Sequence, residues 1–269
     1  YELGKALKME GNYKAAEDTL FRATWDYAYY SPAYQLLAET ACIRKDFGTA
    51  LERIKNSLAT NARNNRAKNL KASILRHLER FEEAENTART VLEDDPLNFY
   101  AANELYRALL KQNKSIQANK LQDSLMSKIS DSHRPILEIA TDYLNCGMYE
   151  DAVNLLNRFV DKYTGQDLNP LVHYYLGYLK DLTGEEQAAA RHFHRGRSLP
   201  TDFCFPFRYE TIAVLEKAMD YAPGDAKAAY YLGNLLYDDR PKEAMDYWTR
   251  AVKKDSGFAI AYRNLGWGS

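Results

Sequence analysis

The chain has 269 residues, with 36 Lys and Arg against 37 Asp and Glu, a formal net charge of -1 and 27% charged residues. That balance gives no whole-chain attraction for nucleic acid or an anionic membrane, and the three cysteines, Cys42, Cys146 and Cys204, are too few and too scattered for a disulfide framework or a metal-ligand pair. No uninterrupted run of about 18 apolar residues is present, so no membrane span is expected.

Apolar residues recur at helical spacing from Tyr1, break at Gly11-Asn12 and resume over residues 14–25. The aromatic cluster that follows, Tyr27, Tyr29, Tyr30 and then Pro32, reads as core packing that covers the end of the array. A second hairpin takes residues 32–60 and a third 64–95, closed by Pro96, which cannot continue a helix. The fourth copy, 97–127, is the weakest. The fifth is the clearest: Ile139, Ala140, Tyr143 and Leu144 form one apolar stripe, Asn145-Cys146-Gly147 breaks it, and Tyr149, Ala152, Val153, Leu156 and Phe159 form a second. Ser130-Asp131-Ser132 ahead of Pro135 reads as its helix start. A sixth hairpin takes 169–198. The aromatic stretch 199–207, bracketed by Pro200 and Pro206, is expected to be extended and packed. One helix over 208–221, a seventh hairpin over 226–254 with its turn shortened at 238–241, and the start of an eighth unit at Phe258 complete the chain. The start at Tyr1 without Met and the end inside a helical pattern read as a fragment.

Three columns repeat in phase. Ala16, Ala50, Ala84, Ala118 and Ala152 lie at strict 34-residue intervals; Tyr13, Phe47, Phe81, Ser115 and Tyr149 keep the same interval three residues earlier. Gly4, Ala38, Ala72, Tyr106 and Ala140 form the third column, small except at Tyr106. From Ala152 to Ala189 the interval is 37 residues, and the extra three fit the loop Thr164-Gly165-Gln166-Asp167, where insertion costs little.

This pattern resembles the tetratricopeptide repeat, a 34-residue unit with Leu-Gly, an aromatic, a turn Gly, Ala, a second aromatic, Ala and Pro at set offsets. Leu3-Gly4, Gly11, Tyr13, Ala16 and Ala23 match it, as do Phe81, Ala84 and Pro96; Gly147, Tyr149, Ala152 and Phe159; Leu176-Gly177, Gly184, Ala189 and Phe193; and Leu232-Gly233, Ala244, Trp248 and Ala251. The resemblance implies an all-α fold, a right-handed α-α superhelix (TPR solenoid) of about seven helical hairpins plus one extra helix and a truncated final repeat. Its units fall at 1–30, 31–62, 63–96, 97–130, 131–166, 167–199, an insertion with the extra helix at 200–223, then 224–257 and 258–269. A narrower resemblance covers the C-terminal strings Phe203-Cys204-Phe205-Pro206-Phe207-Arg208, Tyr230-Tyr231-Leu232-Gly233-Asn234-Leu235-Leu236-Tyr237 and Arg263-Asn264-Leu265-Gly266. They are similar to the helical-repeat tail of large bacterial proteins that carry a mutarotase-like, sugar-associated domain.

No catalytic, cofactor or metal set emerges. His192 and His194 are two apart on a helix and point to different faces. Cys204 sits among Phe203, Phe205 and Phe207, where a buried thiol is expected. The basic run Arg63, Arg66, Lys68, Lys71, Arg76 and Arg80 is interleaved with Glu79, Glu82 and Glu83 and reads as a solvated helix face. In the resembled family the first helix of each hairpin lines a concave groove. That register places Asn103, Arg107, Tyr174, Tyr178, Tyr230, Asn234 and Tyr237 on the groove, extended by Arg263 and Asn264. Asn234 and Asn264 fall on the two Asn positions of the clamp that some family members use for a terminal carboxylate, but Tyr230 stands where its first Lys belongs. The expectation is a non-catalytic interaction or scaffold module for a protein or peptide, including a domain of the same longer chain, with no nucleic acid partner. The alternative is an accessory segment of a larger bacterial carbohydrate-active protein.

Overall fold

The computed structural model describes residues 1–129, 133–163 and 168–268. Among the described residues all regular structure is helical, in sixteen α-helices. Seven hairpins pair α1 (Glu2–Met9) with α2 (Tyr13–Ala23), α3 (Tyr27–Ile43) with α4 (Phe47–Thr60), α5 (Asn65–His77) with α6 (Phe81–Asp94), α7 (Phe99–Lys111) with α8 (Ser115–Ile129), α9 (Arg134–Asn145) with α10 (Tyr149–Lys162), α11 (Pro170–Leu182) with α12 (Glu186–Ser198), and α14 (Ala226–Leu236) with α15 (Pro241–Lys254). The extra helix is α13 (Glu210–Tyr221), and α16 (Ala259–Gly268) opens the last unit. Residues 200–208 are non-helical, as expected, but they are only partly packed: Cys204 is buried, whereas Phe203 and Phe205 project from the surface, being 88% and 68% exposed. The expected helix start at Ser130-Asp131-Ser132 and the insertion at Thr164-Gly165-Gln166-Asp167 lie outside the described residues.

The repeated columns are the packing code. Ala16, Ala50, Ala84, Ala118, Ala152, Ala189 and Ala244 are all fully buried. A methyl group lets the two arms of a hairpin approach; anything larger would force them apart. The facing position is tighter still: a Cβ on Gly177 would lie 2.7 Å from the Phe193 ring, and one on Gly233 would overlap the Trp248 indole. Helix starts are capped by Asp26, Asn64, Asn98, Asn169 and Asp225, whose side chains accept from backbone amides two or three residues on.

Six hairpins turn through one left-handed residue, at Gly11, Lys45, Glu79, Asn113, Gly147 and Gly184. Only three are glycine, so the conformation belongs to the turn and the other side chains tolerate it. The first hairpin boundary differs from expectation. Pro32 lies inside α3, which starts at Tyr27 behind the Asp26 cap. The aromatics expected to be core there are largely at the surface: Tyr27 is 80% exposed, and Tyr29 stacks on Tyr1 at 5.4 Å while remaining exposed.

The chain divides into two compact units, Tyr1–Pro135 with Asp142–Met148, and Ile136–Thr141 with Tyr149–Ser269. Helix α9 contributes to both. Within the first unit, Asp142–Met148 lies across α1, α3, α5 and α7. The Tyr143 hydroxyl accepts from Asn103 Nδ2 at 2.7 Å and donates to Glu104; Lys8 Nζ donates to the Asn145 carbonyl at 2.9 Å; Lys45 Nζ donates to the Gly147 carbonyl; Arg66 pairs with Asp142 at 3.0 Å. Tyr143, Cys146 and Met148 are buried. Two ion pairs are buried beside them, Lys8–Glu39 at 2.9 Å and Arg76–Glu104 at 2.8 Å. The basic run is therefore not simply a solvated face: Arg76 is buried against Glu104, because α7 brings a carboxylate to it from 28 residues away.

Candidate functional site

In the second unit, the small residue Gly233 lets the Trp248 indole of α15 slide beneath α14. The indole then reaches across the hairpin, and Nε1 donates to the Tyr230 carbonyl at 3.3 Å and to Asn234 Oδ1 at 3.1 Å. Asn264 Nδ2, from α16, donates to the same Asn234 oxygen at 2.9 Å. Arg263 in turn donates to Asn264 Oδ1 at 3.3 Å. An indole nitrogen can only donate, so this chain of bonds fixes the orientation of both amides. Asn234 Nδ2 makes no hydrogen bond among the described residues and keeps both of its hydrogens for another acceptor.

Above this network is a cavity of about 430 Å³. Tyr230 and Asn234 from α14, Tyr237 at its C-terminal cap, Trp248 from α15, and Arg263 and Asn264 from α16 line it, with Phe205, Asp238 and Trp267 completing the wall. Tyr237 packs on Trp248 at 5.1 Å between ring centroids, and Tyr230 lies between Tyr231 and Phe258. Trp248 is 4% exposed and forms the floor; Phe205 at 68% and Trp267 at 87% stand at the rim. One cation and one carboxylate face the space, Arg263 and Asp238. The composition suits a ligand with an apolar or aromatic face and a few hydrogen-bonding groups.

The structure brings together Tyr230, Asn234, Tyr237, Arg263 and Asn264 from the residues the register placed on a groove. The other four lie elsewhere. Asn103 is fully buried against Tyr143 in the first unit, and Arg107 is half-buried one turn later on α7. Tyr174 is fully buried, its hydroxyl donating at 2.8 Å to Asp225, the cap of α14; Tyr178, on the same helix α11, is half-buried. Asn103 and Tyr174 are thus core residues rather than groove residues: each hydroxyl or amide is consumed by a neighbouring helix. The carboxylate clamp lacks its first cation, because Tyr230 stands at that position.

Asp238, Trp248 and Trp267 were not expected at a site, whereas Phe205 lies in the interruption 200–207, where the break in the repeat pattern points to function. Trp248 matches the repeat pattern as a packing aromatic, and only its indole nitrogen reaches into the network. Phe205 had a signal, an aromatic in the stretch where periodicity fails. Elsewhere, Cys204 is buried as expected, and burial pushes its thiol up to about 12, out of nucleophile range. His192 meets His173 rather than a metal, with the two Nδ1 atoms 3.0 Å apart. Burial first, then His192 and Arg195, hold His173 down to about 4. Among the described residues no group of three or more His, Cys, Asp or Glu could hold a metal, and no helix is long and apolar enough to cross a membrane.

Comparison with known proteins gives one family match: a tetratricopeptide repeat model matches residues 44–99, from the end of α3 to the first residue of α7. No curated protein matches the chain. Among solved structures, it is similar to a tetratricopeptide repeat protein from Parabacteroides merdae ATCC 43184 at 15% identity, covering 99% of this chain and 96% of that one with a TM-score of 0.44. It is also similar to pilF of Pseudomonas aeruginosa, at 20% identity over 72% of this chain and 87% of that one, TM-score 0.45. A third is MamA, residues 41 to the end, from Desulfovibrio magneticus RS-1, at 18% identity over 63% and 94%, TM-score 0.37. What these comparisons establish is a tetratricopeptide repeat within residues 44–99.

Proposed function

We propose that the second unit is a non-catalytic binding module whose cavity takes a peptide segment of a partner, including a domain of the same longer chain. The observation that carries this reading is the oriented amide network. Asn234 Oδ1 is held by two donors, so Nδ2 is left as a fixed donor beside an aromatic floor. A peptide carbonyl is the matching acceptor, and an apolar or aromatic side chain next to it fits against Trp248, Tyr237 and the Trp267 rim. Pre-organisation of the amide lowers the ordering cost of binding. Arg263 and Asp238 add one charge of each sign, which suits the dipolar amides of a peptide better than a polyanion.

A second reading takes the chain as an accessory helical segment of a larger bacterial carbohydrate-active protein. It is supported by the resemblance of the C-terminal strings and by Phe205 and Trp267, whose exposed rings could stack on a sugar. Parallel screens of a peptide array and an oligosaccharide array with the whole chain separate the two. Peptide capture that falls at least tenfold on Asn234→Ala and on Trp267→Ala supports the first reading. Oligosaccharide capture with the same sensitivity moves the site to the second, and capture indifferent to both substitutions removes the cavity from consideration.

A further inference from the structure

At one end of the second unit a bulky residue occupies a place made for glycine. The Cys204 amide donates to the Thr201 carbonyl at 3.3 Å, which closes a four-residue turn with Phe203 at its third position. Phe203 has φ 54°, in the left-handed region, where a turn residue is ordinarily glycine. Packing gives the ring nothing in return, since Phe203 is 88% exposed. The turn itself is anchored: Cys204 is buried, with Sγ 3.5 Å from Oδ1 of Asn169, the cap of α11. A strained backbone that holds an aromatic ring out in water serves neither folding nor solubility, and points to a contact with something else.

The same end of the unit carries cations. The last turn of α12 lies beside the start of α11, where a Cβ on Gly196 would be 3.2 Å from the Pro170 carbonyl oxygen, and it supplies Arg195 and Arg197. The start of α14 is there too, because Lys227 Nζ donates to the Leu199 carbonyl. Helix α15 folds back along α14 and therefore ends at that level, with Lys253 and Lys254 in its last turn. Arg195, Arg197, Lys253 and Lys254 are exposed, and among the described residues their side chains make no ion pair or hydrogen bond. Helix C-termini favour cations, which accounts for the placement but leaves the charged groups in water. The carboxylates on these segments are Asp202, Asp255 and Asp225, and Asp225 is buried as the cap of α14.

We propose that this end of the second unit rests on an anionic lipid surface, with the Phe203 ring entering the headgroup region and Arg195, Arg197, Lys253 and Lys254 lying against lipid phosphates. An aromatic ring flanked by cations suits a membrane interface: the ring partitions to the boundary between headgroups and acyl chains, and the cations are drawn to the negative surface potential. The formal net charge of the chain is -1, so the attraction is local and screened by salt. A fluid surface takes such a ring without a shaped pocket, whereas an acidic protein would have to supply one; that partner is the competing outcome of the test. The surface is independent of the cavity beside Trp248. Phe205 lines that cavity, so Phe203 is the ring to vary.

The test is co-sedimentation of the whole chain with vesicles of phosphatidylcholine alone and of phosphatidylcholine mixed with phosphatidylglycerol. At low salt the chain should sediment with the mixed vesicles and not with the neutral ones, and added salt should release it. Phe203→Gly should weaken partitioning about fivefold. Glycine relieves the left-handed turn, so this variant should be at least as stable in urea as the wild type, and lost folding cannot account for lost binding. Arg195→Glu combined with Lys254→Glu should weaken partitioning about tenfold or more. The inference is overturned if the chain sediments with neither vesicle, if neutral vesicles are bound as well as mixed ones, or if Phe203→Gly partitions like the wild type. Capture on immobilised polyglutamate without uptake by vesicles would also overturn it, in favour of an acidic protein partner.

Discussion

Glu39 follows Ala38 in α3 as Asn234 follows Gly233 in α14, so the two occupy the same place in the repeat, yet their fates are opposite. Glu39 is buried, bonded to Lys8 and Gln35. Burial alone would raise its pKa, but Lys8 and Arg66 hold the carboxyl below its usual range. Asn234 faces a cavity with a donor to spare. Register therefore fixes which residues share a helix face; what else the chain lays against that face decides whether they bind or merely support. In the first unit the face is filled by Asp142–Met148, and in the second it is open.

The contrast can be broken from either side. The largest effect is expected at Glu104→Leu. It takes the Glu104 carboxylate away from buried Arg76 and from the Tyr143 hydroxyl, and loss of one partner of a buried pair costs about 3–5 kcal/mol; urea unfolding measures it. A loss under about 1 kcal/mol would mean that the filled face is as loosely held as the open one.

The second unit has polar contacts of its own, among them the part-buried His173–His192 pair. A histidine held at about 4 contributes stability that is fully present above its unfolded pKa near 6.5 and is lost as pH falls toward 4, because the unfolded chain takes up the proton first. Between pH 7.5 and 4.5 the wild type should lose about 2 kcal/mol more than His173→Gln, read from urea midpoints at both pH values. Equal slopes would show that the pair is solvated.

Asn234→Ala should cost only about 1 kcal/mol, since the Trp248 nitrogen keeps the Tyr230 carbonyl as an acceptor. A small stability loss with a large binding loss would mark the open face. The smallest effect has the opposite sign. Glu79 sits in the left-handed region at φ 59°, and Glu79→Gly should stabilise by about 0.5–1 kcal/mol in the same urea assay without altering either face.

Much of this architecture was legible because packing in a hairpin is local. The Ala column from Ala16 to Ala152 marks closest approach in five hairpins, and Ala189 and Ala244 mark it in the two that follow. Five cavity residues were legible for the same reason, since one helical register carries Tyr230, Asn234 and Tyr237 together. What periodicity cannot encode is the meeting of distant elements. Nothing in the spacing of Asp142, Tyr143 and Asn145 says that they cross α1 and α7, and nothing around Arg76 says that Glu104 awaits it. The turns at Lys45 and Glu79 were silent as well, because their conformation is imposed by the flanking helices rather than announced by glycine.

Lys45 shows what such a departure from glycine can bring. Its backbone is held in a conformation that costs a side-chain-bearing residue about 1 kcal/mol. In Gly11 and Gly184, the same bend is made without that strain, but also without an arm. The Lys45 ammonium extends from the bend to the Gly147 carbonyl, 102 residues away. A tandem array that only needed to turn would converge on glycine at every such corner. Where a corner keeps a long side chain instead, it becomes an outward-facing handle, and the variety of corner residues becomes a record of which bends have been recruited to touch something beyond their own hairpin.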